Sequence, residues 1–217
     1  LLVHLQNWQQ RASTDSVGYL FVRQFRLNVR KALFSELEKN IKQNTVLSDI
    51  GFRLRPLRHQ LEIPMWQLIN EQPEHLLPDD YQSWPTLFQQ LVRTTLRELT
   101  EKYGSLDEAT WGAHNTLKIQ HPLSKAVPAL SWLLDMPAVP ANGDSYMPRV
   151  QGRGFGASQR LVVSPGFEAQ GILHMPTSQS GHPLSPYYGK GHKDWVNGVR
   201  SPLLPGITTH KLYFVPQ

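Results

Sequence analysis

The sequence predicts an α+β chain, with long helices in its first half and short antiparallel strands in its second. Three observations carry that prediction. Two apolar stripes with helical spacing lie before Gly104. Most of the prolines, and 12 of the 15 glycines, fall after Trp111. Within that second half, two β-rich runs are joined by Pro165-Gly166-Phe167, a turn composition that reads as a hairpin. Helices first and strands later mark the α+β class. We divide the chain into a mainly helical segment, 1–112, and a strand- and loop-rich segment, 113–217, of the same domain.

Taken in order, Leu1 to Trp8 has apolar residues at 1, 2, 5 and 8, the pattern of the middle or end of a helix. A chain that opens inside an amphipathic pattern is expected to be a piece of something longer. Next, Ser13-Thr14-Asp15-Ser16 is rich in N-cap side chains. After it, Phe21, Phe25, Val29, Ala32, Leu33, Leu37 and Ile41 form one stripe, predicting a helix to about Asn40. Ile63 to Ile69 predicts a short helix with Pro64 near its first turn. Glu71 to Tyr81, with two prolines and four acidic residues, reads as a surface loop.

A second long helix is predicted from about Ser83. Its stripe is Phe88, Leu91, Val92, Thr95, Leu96, Leu99 and Tyr103, and Gly104 is its C-terminal cap. Asp107 to Trp111 adds a further turn. Four short strands are predicted beyond it: Thr116 to Gln120, Arg160 to Ser164, Gly171 to Met175 and Lys211 to Val215.

Composition excludes several classes. The chain is 40% hydrophobic and 18% charged, neither a disordered nor a membrane composition. Its greasiest stretch, Ala126 to Pro140, is interrupted by prolines and Asp135, so no membrane span is expected. The absence of cysteine removes disulfides, thiol catalysis and iron–sulfur clusters. The net charge of +5 divides into +6 over residues 1–60, −6 over 61–108 and +5 over 109–217. An acidic middle splits the basic excess, and only Arg53 to Arg58 is locally dense, so no nucleic-acid partner is expected.

The residues offer little chemistry of their own. None of the nine histidines forms H-E-x-x-H, and neither His114/His121 nor His182/His192 has ligand spacing. Gly152-Arg153-Gly154-Phe155-Gly156-Ala157 resembles a phosphate loop, but a strand rather than a helix follows it, so it reads as a turn feeding a hairpin. Ser178 and Ser180 near His182 and Asp194 can be drawn as a triad, with nothing to fix their geometry.

The informative segment runs from Gly156 to Gly198. Gly156-Ala157-Ser158-Gln159-Arg160-Leu161-Val162-Val163 is followed by a second strand, then by Ser178-Gln179-Ser180-Gly181-His182-Pro183-Leu184-Ser185-Pro186-Tyr187-Tyr188 and by Asp194-Trp195-Val196-Asn197-Gly198. This resembles the C-terminal signature of the penicillin amidase (penicillin G acylase) family: a G-x-S-x-R strand, a G-Q-S-G-x-P-x-S-x-x-Y loop and a Trp-bearing helix. Leu5-Gln6-Asn7-Trp8 with Asp15-Ser16, and Trp111-Gly112 before His121-Pro122-Leu123, resemble upstream parts of the same family. Departures are Ser178 in place of the loop's first glycine, the loss of an acidic residue around Ser164, and Gly191 to Asp194 before the Trp.

In the matched segment Gly181 and Pro183 are expected to shape a tight loop, and Ser178, Ser180 and Ser185 to bond its backbone. Tyr187, Tyr188 and Trp195 are expected to plug it onto the core, and Arg160 to form a buried or half-buried ion pair.

The resemblance implies an N-terminal nucleophile hydrolase with a four-layer αββα sandwich, to which this chain contributes outer helices and a few sheet strands. It implies a self-cleaving precursor whose β-chain begins with a nucleophilic serine, and cleavage of penicillin-, cephalosporin- or acyl-homoserine-lactone-type amides. This chain begins with Leu1 and matches the last part of such a β-chain. The nucleophile, the oxyanion asparagine and the family's calcium ligands are therefore expected upstream. No catalytic, cofactor-binding or metal residue is assigned here. The implied partners are the remaining α- and β-chain segments and a small amide substrate, and the implied location is periplasmic. The alternative is a self-sufficient binding module, which predicts a groove with clustered aromatics.

Overall fold

The computed structural model describes every residue except Arg58 and Gln217, so the basic stretch Arg53 to Arg58 ends outside the described residues. The chain divides into two units, residues 1–11 with 15–111, and residues 12–14 with 112–217.

The first unit is helical: α1 (Leu2–Gln6), α2 (Val17–Gln43), α3 (Thr45–Asp49), α4 (Glu62–Glu71) and α5 (Trp84–Tyr103). Ser16 caps α2 by accepting the Tyr19 N–H at 3.0 Å. The helix runs three residues past the predicted end because nothing breaks it before Asn44. That side chain leaves the helix and caps the next, accepting the Leu47 N–H at 3.0 Å. Helix α1 approaches α2 closely at Gly18, where a Cβ would lie 2.6 Å from the His4 carbonyl oxygen.

Helix α5 begins after Ser83, about where the sequence placed its start, and ends at the predicted cap Gly104, whose φ of +88° suits glycine. Its buried line, however, is Trp84, Leu87, Leu91, Thr95 and Leu99. Leu87 is fully enclosed, while Phe88, the predicted first stripe residue, is half-buried beside Trp84. Val29, Phe34, Ile41, Leu54, Met65, Leu87 and Leu91 form the core. Within α2, Phe34 takes an inward place that the stripe omitted, and Leu37 faces solvent. Across the α2–α5 face, Asn28 Nδ2 donates to Thr95 Oγ1 at 3.0 Å, and Thr95 Oγ1 donates in turn to the Leu91 carbonyl at 2.7 Å. Every polar group of this buried junction thus has a partner.

The second unit carries short helices and ribbons: α6 (Trp111–His114, whose Trp111 belongs to the first unit), α7 (Pro122–Ala126), α8 (Ser131–Leu134) and α9 (His192–Asn197). Strand β1 (Gln151–Gly152) pairs antiparallel with β2 (Phe155–Gly156), so the glycine-rich segment is itself a hairpin. Strand β3 (Arg160–Val162) pairs antiparallel with β4 (Ile172–His174), Arg160 opposite His174, as the turn at Pro165-Gly166 predicts. Residues 201–203 flank β4 through the Leu173 N–H to Ser201 and Leu203 N–H to Gly171 bonds, each 3.0 Å.

Two predicted strands do not form. Thr116 to Gln120 is extended and lies along residues 136–141, but only Thr116 bridges, to Pro140. Proline has no N–H to continue a ladder, and Pro137 lies in the same segment. Lys211 to Val215 has strand composition, yet it makes no strand pairing among the described residues and its side chains are exposed. The unit's core is Leu117, Ala141, Trp195 and Val196, with Ile119 and Val139 against it. Among the described residues, no helix is long and apolar enough to cross a membrane.

Candidate functional site

The signature residues converge around the end of α9. Glycines close both ends of this short helix, Gly191 at φ +86° and Gly198 at φ +67°. Trp195 is completely enclosed, and its Nε1–H donates to the Ala157 carbonyl at 3.1 Å. Gly156, first residue of the G-x-S-x-R match, is required by space. A Cβ there would stand 2.3 Å from Trp195 Cζ2 and 2.7 Å from Cη2.

The last carbonyls of a helix lack intrahelical donors and carry the negative end of its dipole. Here three side chains supply donors. Arg160 Nη1 donates to the Trp195 carbonyl at 2.9 Å. Gln151 Nε2 lies 3.3 Å from the Trp195 carbonyl and 3.2 Å from that of Val196. Arg149 Nη2 donates to the Val196 carbonyl, and Arg149 Nε donates to Gln151 Oε1 at 2.5 Å. Asn115, itself buried, fixes the backbone beneath by donating Nδ2–H to the carbonyls of Ala141 at 3.0 Å and Gln151 at 3.1 Å.

Two histidines complete the cluster, and their partners define their tautomers. His174 donates Nε2–H to the Val199 carbonyl at 2.5 Å, which turns the Nδ1 lone pair toward Arg160 Nη1 at 3.4 Å. His192 donates Nδ1–H to the Pro176 carbonyl at 2.6 Å and stacks on Trp195 with ring centroids 6.0 Å apart. Its Nε2 is buried without a partner.

The ion pair expected at Arg160 is absent: no Asp or Glu oxygen lies within 4.0 Å of it among the described residues. Its partners are a helix-end carbonyl, a histidine and the Trp195 ring, 5.4 Å from its Cζ. Burial lowers both guanidinium pKa values from the ordinary arginine value, and the charge of Arg149 adds to the effect at Arg160. Both remain charged, since arginine titrates far above neutral pH.

The signature loop is held by local bonds. Ser178 Oγ accepts the Ser180 N–H at 3.1 Å and Ser185 Oγ accepts the Tyr187 N–H at 3.2 Å. Gly181 has no positive φ, while Gly189, Gly191 and Gly198 do. Tyr188 anchors the loop by donating its hydroxyl to the Leu134 carbonyl at 2.6 Å, whereas Tyr187 is exposed rather than plugged into the core.

The structure assembles none of the constellations drawn from sequence. His182 Nδ1 accepts the Leu184 N–H at 3.2 Å, a local turn bond rather than a serine contact. Neither Ser178 nor Ser180 bonds to it or to Asp194. His121 caps α7, its Nδ1 accepting the Leu123 N–H at 3.1 Å. Among the described residues, no group of three or more His, Asp or Glu is placed to hold a metal ion. Arg149 and Gln151 escaped sequence reasoning, because they precede the glycine-rich turn and match no chemical motif. The spacing of Arg160 and Trp195 was visible; what surrounds them was not.

The glycine, arginine and tryptophan that carry the signature thus form one packed unit. Residues 2–204, nearly the whole chain, match the penicillin amidase family, and the chain belongs to that family. No curated protein sequence matches it.

Proposed function

We propose that this chain is the C-terminal portion of a penicillin-amidase-type acylase acting on linear amides of the penicillin, cephalosporin or acyl-homoserine-lactone kind. The nucleophile in this reading is an N-terminal serine on another segment of the precursor. Its α-amino group removes the hydroxyl proton, an asparagine and backbone N–H groups hold the oxyanion, and water releases the acyl-enzyme. The family's calcium ligands are placed on those other segments too, and the assembled enzyme in the periplasm.

One observation carries the reading: the family match spans residues 2–204 and takes in the Gly156–Gly198 signature. The two ribbons then serve as parts of larger sheets in a four-layer sandwich. The exposed apolar side chains of Leu161, Val162, Leu212 and Phe214 support this, being suited to cover by further layers. One groove of about 590 Å³, beside α2, is lined mainly by charged and polar side chains rather than by the clustered aromatics that the binding-module alternative expects.

The test is an intact-mass analysis of the native protein from its source, with amide-hydrolysis assays on it and on the 217-residue chain. A larger two-chain species that hydrolyses the amides, beside an inert 217-residue chain, is expected. A native species of this chain alone, without activity, would overturn the proposal.

A further inference from the structure

Strand β3 has one edge without a partner. On the far side of β4, Leu173 donates its N–H to Ser201 and Gly171 accepts the Leu203 N–H, each at 3.0 Å, so Gly171 and Leu173 face away from β3. Backbone groups alternate between the two edges of an antiparallel strand. Ile172 and His174 therefore face β3 and engage their opposites, Val162 and Arg160. Leu161 and Val163 turn their N–H and C=O groups to the other edge, where no hydrogen bond meets them among the described residues. That edge is open to solvent: Leu161, Val162 and Val163 are 51%, 56% and 42% exposed.

The chain also carries an unused strand. Lys211-Leu212-Tyr213-Phe214-Val215 has the aromatic and branched composition of a β-strand, yet Leu212 to Val215 are between 78% and 89% exposed. Beyond Leu203 no backbone hydrogen bond forms among the described residues. An open edge and an extended apolar segment are the two halves of strand addition. Residues 201–203 lie along β4, so a copy's own segment departs from the side of the ribbon opposite the open edge. A second copy brings the segment without that crossing, and a reciprocal exchange doubles the interface and closes both edges.

We propose that the outer edge of β3 is the docking site for Lys211–Val215 of a second copy of this chain, the two copies exchanging these strands about a two-fold axis. Centring the five residues on Leu161 sets Tyr213 opposite it and Lys211 opposite Val163, just before Pro165, which has no N–H to extend the ladder. The antiparallel direction carries Lys211 toward the β3–β4 turn and Glu168, whose carboxylate accepts the Gly166 N–H at 2.8 Å. A parallel strand would set Lys211 beside Arg160, a like charge. The inference concerns this chain on its own and stands whether or not the acylase reading does.

The chain has no cysteine, so introduced thiols report the pairing. Val162 and Leu212 form a close, non-hydrogen-bonded pair in this register, with Cα atoms about 4.5 Å apart and within disulfide reach. Val162→Cys and Leu212→Cys chains are mixed and mildly oxidised. Each carries one thiol, so any disulfide joins two copies, and the mixed species is expected to exceed both homodisulfides. Sedimentation equilibrium of the wild-type chain is expected to show a concentration-dependent dimer. Tyr213→Pro removes the N–H that meets Leu161 and weakens that dimer about tenfold or more. Its site is exposed and unpaired, so the fold of each copy is unaffected. A chain that stays monomeric at millimolar concentration, a mixed disulfide no more abundant than the homodisulfides, or a dimer indifferent to Tyr213→Pro overturns the proposal. A Val162→Cys/Leu212→Cys double variant that closes its disulfide within one monomeric chain identifies the copy's own strand as the occupant and equally overturns it.

Discussion

Gly156→Ala tests whether the signature glycine exists to admit the Trp195 ring. The added methyl would lie 2.3 Å from Cζ2 and 2.7 Å from Cη2, with the Val150 carbonyl oxygen 3.1 Å away on another side. Carbon atoms in contact prefer about 3.5–4.0 Å, so one partner must move by more than about 1 Å. The indole cannot slide freely, because its N–H is bonded to Ala157, the residue next to the new methyl. Nor can α9 withdraw cheaply, because its last carbonyls hold Arg160, Gln151 and Arg149. The cost therefore falls near the top of the overpacking range, about 3 kcal/mol. Trp195→Phe removes the atoms that are struck, but by itself loses buried area and the bond to Ala157, about 1–3 kcal/mol. The two changes share one space, so the double variant is less destabilised than their sum by about 1 kcal/mol or more. Urea unfolding followed by far-UV circular dichroism measures all three. A Gly156→Ala midpoint equal to wild type, or strict additivity, would refute the packing argument.

Three further outcomes follow from the structure. Leu87→Ala, at the fully enclosed centre of the first unit, costs about 2–5 kcal/mol, read by hydrogen exchange of α2 and α5. Ser83→Ala removes the oxygen that accepts the Thr86 N–H at 3.3 Å and costs about 1 kcal/mol, whereas Ser83→Asp restores the cap; thermal unfolding separates the two. Asp135 has its pKa lowered from 3.8 by the Ser124 hydroxyl first, then by the His121 N–H and Gln120. Its folded value lies below its unfolded one, so its contribution is present above about 3.8 and lost as pH falls through the lower folded value. Carboxylate NMR should show that low midpoint, and Ser124→Ala should raise it; an unchanged midpoint would contradict the assignment.

Local signals were legible where the chain solves its problems locally. Ser16, Ser83 and Gly104 cap helices within four residues of the groups they satisfy; the sequence offered Ser16 within a cluster of N-cap side chains, Gly104 as a cap and Ser83 as the approximate start of a helix. The long stripes were legible because 3.6-residue periodicity is written into consecutive positions. The stripe's exact centre was not: Leu87 and Phe88 are both apolar, and only packing against the α2 core put Leu87 inside. Lys211 to Val215 carries a strand pattern, but a strand requires a second chain segment at its edge, which its own residues do not encode.

By itself, then, the sequence determined the α+β class, the main helices with their caps, the β3–β4 hairpin and the family to which the chain belongs. Each rests on neighbouring residues or on a motif. The tertiary structure decided the surroundings of Arg160. In place of the expected carboxylate it meets the end of a helix more than 30 residues onward, His174 across the ribbon and the Trp195 ring. Hydrogen-bond satisfaction of a buried side chain depends on groups distant in sequence, and no local pattern announces which groups those are.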